Sequence, residues 1–595
     1  MTVKERLGRL REEMEKRNIG AYLVPMADFH HSEYVGAYFE EVKYISGFTG
    51  TNATVVVTMD EAGLWTDGRY FIQAERQLKD STILLYRMAE EGVPTVAEFL
   101  RDKLPQGKAI GFDGRCIMAD EAASYQKIAE EKKGSLYQSE DLIDLFWEDR
   151  PALPHEKTWV LKTEHAGRSV TDKLEDLRKI MEEKGAEAHL LSSLCDIAWL
   201  LNMRGNDIAS VPVFLSFVYV TARECRLYIQ DQAMTDQAGL HLRDANVDIR
   251  PYEAIYEDLP LMEEKSLLLD KKETNARLFD LIPDGVVVIN DFNPTELSKA
   301  VKNETEIKDT IHAHIEDGIA VTHFIYWVKN AIKTEKLTEL DADHKIREFR
   351  EQADDFLDVS FETIAAYGPN AAMMHYSATP EEFSEMKPEG FLLVDSGGHY
   401  MTGTTDITRT IVLGPLTAEM KHDFTTVLRS HLRLMTAHFP QGCIGQNLDI
   451  LARGPVWDEG LDYRCGTGHG VGHILNVHEG PQSFRWKVLD KSKVWELQEG
   501  MIITDEPGLY IENGYGIRTE NELLVEFDRK TEYGKFLKLR PITYVPIDRD
   551  AINVEELTHL ELKALNEYHE MVYQTLKDSF EGAELDWLRE VTLPL

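Results

Sequence analysis

Cysteine is scarce in this 595-residue sequence, which contains only five. They stand far apart, and no two of them form a CxxC pair; they are Cys116, Cys195, Cys225, Cys443 and Cys465. An odd number at such wide spacing excludes a disulfide framework of the kind found in small secreted domains. The pattern favours a reducing compartment, and we expect the protein to be cytoplasmic.

Positive charge is also in short supply. The chain has 65 Lys and Arg residues against 104 Asp and Glu residues, which gives a formal net charge of −39. Phosphate binding requires clustered Lys and Arg, so we expect no nucleic acid among the partners. The same imbalance opposes binding to anionic membrane surfaces and favours solubility.

Long apolar runs are missing as well. The most apolar stretch, residues 211–220, is much shorter than the ~20 residues that a membrane-spanning helix requires. Residues 1–18 have the pattern of a charged amphipathic helix and lack the apolar centre of a signal peptide. We therefore expect a soluble protein with no membrane partner.

The first 300 residues contain a faint internal duplication. In each copy a Leu-Arg pair on an amphipathic helix, at 10–11 and at 177–178, precedes a short buried strand, at 21–24 and at 188–191. Further apolar segments follow in the same order, at 53–58 and 64–66 in the first copy and at 213–220 and 226–228 in the second. Alternating helices and strands predict two α/β domains of related fold.

The chain is too long for a single core, and two transitions suggest where it divides. Prolines at 151 and 154 mark the first, and the polar residues 302–304 mark the second. From about 306 to 333 apolar residues then recur at helical spacing, and residues 559–570 show a helical pattern near the end. We predict domains at 1–155, 156–302 and 303–595.

Five residues of the third domain stand in short, distinctive motifs. They are Asp395 in DSGG, Asp406 in TTDITRT, His469 in GTGHGVGH, Glu506 in TDEPG and Glu520 in IRTEN. Four carboxylates and one imidazole suit two adjacent divalent cations, with Mn²⁺ favoured by the oxygen-rich set and Zn²⁺ and Co²⁺ as competitors. A water that bridges two such ions ionises near neutral pH and acts as a nucleophile. The set therefore predicts metal-assisted hydrolysis.

The third domain resembles the pita-bread metallopeptidases, whose two-metal centre uses Asp, Asp, His, Glu and Glu in this order. GTGHGVGH followed by NVHEGP and TDEPG is most similar to the aminopeptidase P family of Xaa-Pro aminopeptidases. The chain length, YISGFTG at 44–50 and TDGRYFIQA at 66–74 resemble the long, three-domain form of that family. The resemblance implies an α/β (α+β) chain with two creatinase-like N-terminal domains and a pita-bread catalytic domain.

The resemblance also implies a role for each predicted ligand. Asp395 would bind one ion through both carboxylate oxygens. Asp406 and Glu520 would bridge the two ions, and His469 and Glu506 would complete the second ion. The nucleophile would then be a hydroxide that bridges the two metals.

Further side chains are expected around these ligands. The resemblance implies that His375, in MMHYS, and His478, in NVHEGP, contact the substrate near its scissile peptide. Glu506 would carry the proton from the water to the leaving nitrogen. Arg518 and Tyr510 match outer positions that hold the carboxylates in orientation.

Several nearby residues depart from the family pattern or have no place in it. The family usually has histidine four residues before the ligand histidine, whereas this chain has Cys465, a poor hydrogen-bond donor. We expect weaker substrate binding or a shifted side-chain preference, with activity retained. We interpret His473 as structural, and the neighbouring glycines as sites of close backbone approach rather than a phosphate loop. Arg69 is either an exposed turn residue or part of the substrate entrance.

Two functions from different classes remain open. One is an active Xaa-Pro aminopeptidase that takes short peptides with proline at the second position. The other is a catalytically inactive binding module on the same fold, although such modules typically lose metal ligands and none is missing here. Among enzymes, prolidase carries one N-terminal domain where we predict two, and methionine aminopeptidase is much shorter than this chain. Both are therefore disfavoured. The long form also implies a homodimer.

Overall fold

The computed structural model describes residues 1–487 and 494–595. The chain forms two compact units. One contains Met1–Lys162 and Arg168–Thr295, and the other contains Thr163–Gly167 and Glu296–Leu595. None of the helices in the described ranges has both the length and the apolar character needed to cross a membrane.

The first unit opens with a six-stranded sheet. Its strands are β1 Ile19–Pro25, β2 Thr54–Thr58, β3 Ala62–Thr66, β4 Leu84–Arg87, β5 Ala109–Gly111 and β6 Leu136–Tyr137. The helices are α1 Val3–Lys16, α2 Glu41–Ser46, α3 Phe71–Gln77, α4 Val96–Lys103 and α5 Ala119–Glu131. The strand order is β4-β3-β2-β1-β5-β6. Strand β1 pairs antiparallel with β2 and parallel with β5.

Both faces of this sheet are covered. Tyr22 of β1 belongs to the same buried cluster as Leu10 of α1. The next residue, Leu23, points to the other face and packs in a cluster with Phe99 of α4. Because successive strand residues face opposite sides, coverage of both faces explains why the central strands are apolar almost throughout.

A second six-stranded sheet follows in the same unit. The segments are β7 Trp159–Val160, α6 Thr163–Ala166, α7 Val170–Lys184, β8 Ala188–Leu191, α8 Leu194–Leu200, β9 Met203–Arg204, β10 Ser216–Thr221, β11 Cys225–Ile229, α9 Asp236–Asp244, β12 Asp248–Pro251, α10 Ile255–Asp258, β13 Ser266–Leu269, α11 Ala276–Asp280 and β14 Val287–Asn290. The strand order of the six-stranded sheet is β12-β11-β10-β8-β13-β14. Strands β7 and β9 pair with each other outside this sheet, and α6 belongs to the second unit.

The two sheets confirm the predicted duplication. Strand for strand they have the same order and the same parallel and antiparallel pairings. Arg11 Nε donates to the Thr58 carbonyl at 2.8 Å, and Arg178 Nε donates to the Thr221 carbonyl at 3.0 Å. The arginines of the two Leu-Arg pairs therefore make the same helix-to-strand contact.

One predicted strand of the second copy is shorter than expected. The prediction placed it at 213–220, whereas β10 covers Ser216–Thr221. The backbone N–H of Leu215 donates to Asp207 Oδ2 at 2.8 Å. Because a side chain takes this donor, the segment before Ser216 does not join the sheet.

The second unit contains the remaining helices and strands. Its helices are α12 Pro294–Ala300, which runs in from the first unit, α13 Glu304–Ala331, α14 Glu339–Arg350, α15 Ala418–Met435, α16 Gly445–Asp458, α17 His559–Leu576 and α18 Gly582–Val591. Its strands are β15 Leu337–Thr338, β16 Phe356–Val359, β17 Ile364–Tyr367, β18 Glu385–Met386, β19 Phe391–Ser396, β20 Gly398–Tyr400, β21 Gly403–Thr404, β22 Ile407–Val412, β23 His438–Pro440, β24 Gly468–Gly470, β25 Glu479–Phe484, β26 Ile502–Asp505, β27 Gly508–Ile511, β28 Tyr515–Arg518, β29 Asn521–Thr531 and β30 Gly534–Pro541.

Two antiparallel sheets of the second unit matter most for the site. One has the strand order β17-β19-β22, and the other has the order β23-β30-β29-β26-β24-β25. Helix α13 covers part of the first sheet, since Phe324 and Val328 cluster with Leu392 of β19 and Ile411 of β22.

Helix α13 confirms the predicted long helix, with one unexpected feature. Asn303 caps it through a reciprocal capping box with Glu306. The apolar residues Ile311 and Ile315 are only partly buried, whereas His314 and Asp317 are fully buried. The first half of the helix thus buries these two polar side chains more completely than its isoleucines.

Candidate metal centre and active site

The five predicted ligands lie at the ends of strands in the two sheets. Asp395 is in β19 and Asp406 directly precedes β22, and these two strands pair in antiparallel register. His469 is in β24, Glu506 directly follows β26 and Glu520 directly precedes β29. Strands β24 and β29 both pair with β26, so the three segments lie side by side.

Four of the five side chains converge. One ligand atom each from Asp406, His469 and Glu520 lies within 4.8 Å of the others. His469 Nε2 lies 3.4 Å from Asp406 Oδ2 and 3.6 Å from Glu506 Oε1. Asp395 is joined to this group through Arg518, which donates to Asp395 Oδ2.

The residues fit a pair of divalent cations. Asp395, Asp406 and Glu520 are all buried. Asp395 Oδ1 and Glu520 Oε1 are buried without a hydrogen-bond partner in the described chain. Carboxylate oxygens removed from water require a proton or a cation for stability. Four carboxylates and one imidazole provide the donor types that Mn²⁺, Zn²⁺ and Co²⁺ accept.

The crowding of these groups shifts their pKa values. Burial, together with the charges of Asp406, Glu506 and Asp395, raises the pKa of Glu520 well above its usual range. Burial likewise raises the pKa of Asp406 to about 6, although its hydrogen bond with His469 opposes the shift. Burial by itself would lower the pKa of His469, but the bond to Asp406 and the charge of Glu506 raise it to about 9. The cluster therefore carries more negative charge than the positive groups beside it can neutralise.

Arg518 and Tyr510 lie beside the ligands. Besides its bond to Asp395, Arg518 donates from Nη1 to the Tyr510 hydroxyl at 2.6 Å and from Nε to Thr408 Oγ1 at 3.1 Å. Thr408 Oγ1 in turn donates to Glu520 Oε2 at 2.5 Å. Arg518 is therefore linked to two of the predicted ligands, which is the kind of contact expected of an outer orienting group.

A buried pair beside the backbone of Asp406 was not predicted from the sequence. Glu522 Oε1 accepts the backbone N–H of Asp406 at 2.8 Å. Glu522 Oε2 lies 3.1 Å from Nε2 of His314, on α13, and neither side chain is exposed. Nearby, Thr405 donates to Asp317 at 2.8 Å, and Arg350 donates to the same carboxylate at 2.6 Å.

A second buried histidine supports the strands that carry Glu506 and Glu520. His431 of α15 has Nδ1 3.1 Å from Asp505 Oδ2, and its Nε2 accepts from Asn521 Nδ2 at 3.1 Å. Asp505 and Asn521 are cross-strand partners in β26 and β29. Burial raises the pKa of Asp505 to about 6, while His431 acts in the opposite direction.

The two predicted substrate-contacting histidines lie in loops. The His478 ring is 4.3 Å from the His469 ring and nearly perpendicular to it, at 89°. His375 is half-buried in the segment between β17 and β18, directly before the buried Tyr376.

The glycine-rich segment around His469 packs closely against its neighbours. A Cβ on Gly468 would lie 1.9 Å from the Thr504 carbonyl oxygen, so this position requires glycine, as expected. His473 is buried and its Nδ1 lies 3.2 Å from Thr310 Oγ1, in keeping with a structural role. Burial raises the pKa of Cys465 to about 12, so its thiol is protonated at neutral pH.

Arg69 lies in the first unit. It donates from Nε to Asp67 Oδ1 at 2.9 Å and from Nη2 to Asp67 Oδ2 at 2.7 Å, a two-point ion pair within one turn. This ion pair gives the Asp and the Arg of the TDGR sequence a structural role within the turn. A role for Arg69 at the substrate entrance stays a prediction.

Comparison with known protein families gives four matches along the chain. The creatinase/prolidase N-terminal domain matches residues 6–145, and a second model of that domain matches residues 149–306. Metallopeptidase family M24 matches residues 309–526, and the C-terminal region of peptidase M24 matches residues 535–595. The predicted order of two creatinase-like domains and one pita-bread domain is confirmed.

Individual relatives match over nearly the full length. A probable Xaa-Pro aminopeptidase P of Botryotinia fuckeliana is 38% identical over 99% of this chain and 93% of its own. Aminopeptidase P2 of Arabidopsis thaliana is 35% identical over 100% of this chain and 89% of its own. The crystal structure of X-prolyl aminopeptidase from Caenorhabditis elegans, described as a cytosolic enzyme with a di-nuclear active site, has a TM-score of 0.94 and 34% identity and covers 100% of both chains.

Proposed function

Because the chain belongs to the aminopeptidase P family of M24 metallopeptidases, we propose that it is a dinuclear metalloaminopeptidase that removes an N-terminal residue followed by proline. The observation that carries this proposal is the meeting of Asp406, Glu506 and Glu520 around His469, with Asp395 close by. An inactive binding module has no need of so many buried carboxylates. The complete set therefore favours an enzyme.

The five ligands would hold two divalent cations. Mn²⁺ is our first choice because the set is rich in carboxylate oxygens, and Zn²⁺ or Co²⁺ would also fit it. When bound, such ions polarise a carbonyl group and lower the pKa of a water molecule so that it attacks at neutral pH. Arg518 and Tyr510 would keep the carboxylates in the orientation that binding requires.

Glu506 is the proposed proton carrier. Its backbone N–H donates to the Thr467 carbonyl at 2.8 Å, and its side chain keeps 22% of its surface accessible. The carboxylate is thus fixed at its base while remaining open to a reactant. We propose that Glu506 accepts a proton from the attacking water and donates it to the leaving nitrogen as the peptide C–N bond breaks.

His375 and His478 are the proposed contacts to the scissile peptide. The carbonyl oxygen gains negative charge as the water adds, so a donor aimed at it stabilises the transition state by about 3 kcal/mol. The perpendicular packing of His478 on His469 supports this role, because it fixes the ring beside a metal ligand. Cys465 would contribute little, since a thiol is a weak donor.

Proline at the second position alters the bond that is cleaved. Its nitrogen carries no hydrogen, and its ring holds φ near −65°. Peptidases that require that N–H or a flexible residue do not act on such a bond. We propose that a site beside His478 accepts the ring instead, and that short peptides with a free N-terminus are the substrates.

We also propose a cytoplasmic homodimer. The C. elegans relative is described as cytosolic, and the five cysteines of this chain are odd in number, widely spaced and without a CxxC pair. Four large apolar side chains on or near α16 and β25 are 38–49% exposed: Ile450, Trp457, Leu461 and Trp486. The rings of Trp457 and Trp486 contact each other at 5.8 Å. Exposed apolar groups of this size typically mark an interface, which supports a subunit contact here.

The domain boundaries after residues 155 and 302 remain proposals. The family matches that end at residues 145 and 306, and the next ones that begin at 149 and 309, support them.

A small peptide panel tests the activity. Under Mn²⁺ we expect Arg-Pro-Pro to release arginine, Arg-Ala-Ala to be cleaved poorly and N-acetyl-Arg-Pro-Pro not to be cleaved. Arg-Pro and Met-Ala-Ala distinguish prolidase and methionine aminopeptidase activities. Equal cleavage of the alanine peptide would contradict the proline preference, and cleavage of the acetylated peptide would contradict the requirement for a free amine.

A further inference from the structure

His375 lies in a long irregular loop next to the metal centre. The loop joins β17 to β18, and after a short 3₁₀ turn at Gly368–Ala372 it contains no further helix or named strand. Ile364, at the start of β17, pairs with Asp395. The Ala371 carbonyl is so close to Gly516 of β28 that a Cβ there would lie 1.8 Å from its oxygen. Ordered loops of this length with so little secondary structure of their own are uncommon and are usually functional.

A single carboxylate, that of Glu339, binds several points of this loop. Glu339 Oε1 accepts the backbone N–H of Tyr367, where the loop begins, at 2.7 Å. Glu339 Oε2 accepts the backbone N–H of Ser384, where the loop ends, also at 2.7 Å. Asn370 Nδ2 donates to both oxygens at 3.1 Å, and the Tyr376 hydroxyl donates to Oε2 at 2.8 Å. Glu339 therefore joins both ends of the loop and two points within it.

The charge of Glu339 is stabilised where it lies. The side chain is fully buried, and each donor just described is a neutral amide or hydroxyl group. Glu339 is the first residue of α14, with Thr338 as the N-cap. The positive end of a helix dipole stabilises a carboxylate at this position. Hydrogen bonds to an ionised acceptor are about twice as strong as neutral ones, so the anchor is a firm one.

The anchor acts on the peptide that carries His375. Tyr376 follows His375 directly, and its ring is buried with Ile364 and Leu393. The bond from the Tyr376 hydroxyl to Glu339 fixes that ring from the other end. With both the ring and the hydroxyl held, the backbone directly after His375 is fixed in place.

We propose that Glu339 is a positioning residue that holds His375 at the reacting peptide. The inference rests on the proposed function, in which His375 contacts the scissile carbonyl. Displacement of a catalytic group by about 1 Å costs up to about 10²-fold in rate, so a relaxed loop would slow catalysis. The effect should fall on kcat, because His375 acts on the transition state, and should leave metal binding intact.

A double-mutant cycle tests the proposal in the full-length, Mn²⁺-loaded enzyme. Glu339→Gln keeps the size of the side chain but removes the charge and one acceptor oxygen. With Arg-Pro-Pro as substrate we expect about a tenfold loss of kcat and little change in KM. His375→Ala should lose about 10²-fold or more. The double variant should equal His375→Ala, because Glu339 has nothing left to position.

Two further variants keep the test decisive. Tyr376→Phe removes one donor and retains the ring, so it should lower kcat by a smaller factor, and only while His375 is present. Glu561→Gln is the matched control, because Glu561 is also a buried carboxylate in the first turn of a helix, bonded to Arg433 at 2.7 Å. Its kcat should equal that of the wild type. Hydrogen exchange should rise in residues 364–386 of Glu339→Gln and stay unchanged around Asp406.

The possible outcomes are distinct. Losses that multiply in the double variant would overturn the proposal, since Glu339 would then act independently of His375. An unchanged kcat in both Glu339→Gln and Tyr376→Phe would overturn it as well. An inactive wild-type enzyme, or a fully active His375→Ala, would instead contradict the proposed function on which it rests.

Discussion

His314 Nε2 lies 3.1 Å from Glu522 Oε2, and both side chains are completely shielded from solvent. The second oxygen of Glu522 accepts the backbone N–H of Asp406, a proposed bridging ligand, at 2.8 Å. A residue of the long helix α13 thereby lies beside the carboxylate that accepts the backbone N–H of Asp406. Such outer contacts fix the orientation of ligands and tune their affinity for metal.

Glu522 should therefore matter for metal binding. Glu522→Ala removes the acceptor of the Asp406 N–H, and we expect Mn²⁺ affinity to fall about 10- to 100-fold. Glu522→Gln retains one oxygen for that N–H and should lose less. Titration of the metal-stripped proteins with Mn²⁺ measures both changes. Equal affinity in the wild type and Glu522→Ala would show that the pair does not support the metal centre.

The duplicated sheets and the long helix were predictable because apolar periodicity is a local signal. The apolar spacing places Leu10 on the buried face of a helix and Tyr22 on a buried strand. The two residues do lie in one buried cluster. The ligand motifs were readable for a related reason, since each is a short run of consecutive residues in or directly beside a strand, such as DSGG at Asp395 and TDEPG at Glu506.

The supporting residues could not be predicted in this way. His314 is more than 200 positions from Glu522, and only tertiary packing brings them together. No pattern in the sequence set His314 and Asp317 apart, because α13 contains several other charged and polar residues, among them His312 and Glu316. Leu215 illustrates a smaller miss, because its amide is bonded to the side chain of Asp207 rather than to a strand.

Substitution of Cys465 should be tolerated. Its thiol is a weak donor, so Cys465→Ala should keep kcat/KM for Arg-Pro-Pro close to the wild-type value. His478→Ala, the comparison, should lose about 10²-fold because it removes a donor to the reacting carbonyl. Steady-state kinetics of the two Mn²⁺-loaded variants provide the check. If Cys465→Ala were inactive and His478→Ala active, the roles assigned to the two positions would be wrong.

Acid should destabilise the second unit in part through His569. Burial, reinforced by Arg549 and Arg409, lowers the pKa of His569 to about 3, and its Nε2 accepts the Ile547 N–H at 3.1 Å. An unfolded histidine has a pKa of about 6.5, so the folded state disfavours the proton that the unfolded state binds. The stability contributed by neutral His569 is present above pH 6.5 and is lost as the pH falls toward 3.

The variant His569→Gln isolates this effect, since its amide oxygen can still accept the Ile547 N–H. Between pH 7.5 and pH 5.5 the wild type should lose about 1.4 kcal/mol more free energy of unfolding than the variant. Urea unfolding followed by tryptophan fluorescence at the two pH values measures the difference. An identical pH dependence in both proteins would contradict a neutral, buried His569.

The proposed homodimer should depend on Trp457. Trp457→Ser removes the largest exposed apolar side chain of α16. It should shift the protein toward monomer at micromolar concentration. Tyr533→Ser is the matched control, because Tyr533 is 82% exposed in the turn between β29 and β30. Sedimentation equilibrium measures the association of each. A wild type that is monomeric throughout, or a Trp457→Ser variant that stays fully dimeric, would contradict the interface.

Parallel measurement of bound metal and of Arg-Pro-Pro hydrolysis tests the central claim most directly. Chelation of the wild type should abolish hydrolysis, and activity should return as Mn²⁺ binds, reaching its maximum at two ions per chain. Glu520→Ala should bind fewer ions and remain inactive at any Mn²⁺ concentration that restores the wild type. Full activity in the metal-free wild type, or in Glu520→Ala, would contradict a dinuclear centre built from these five residues.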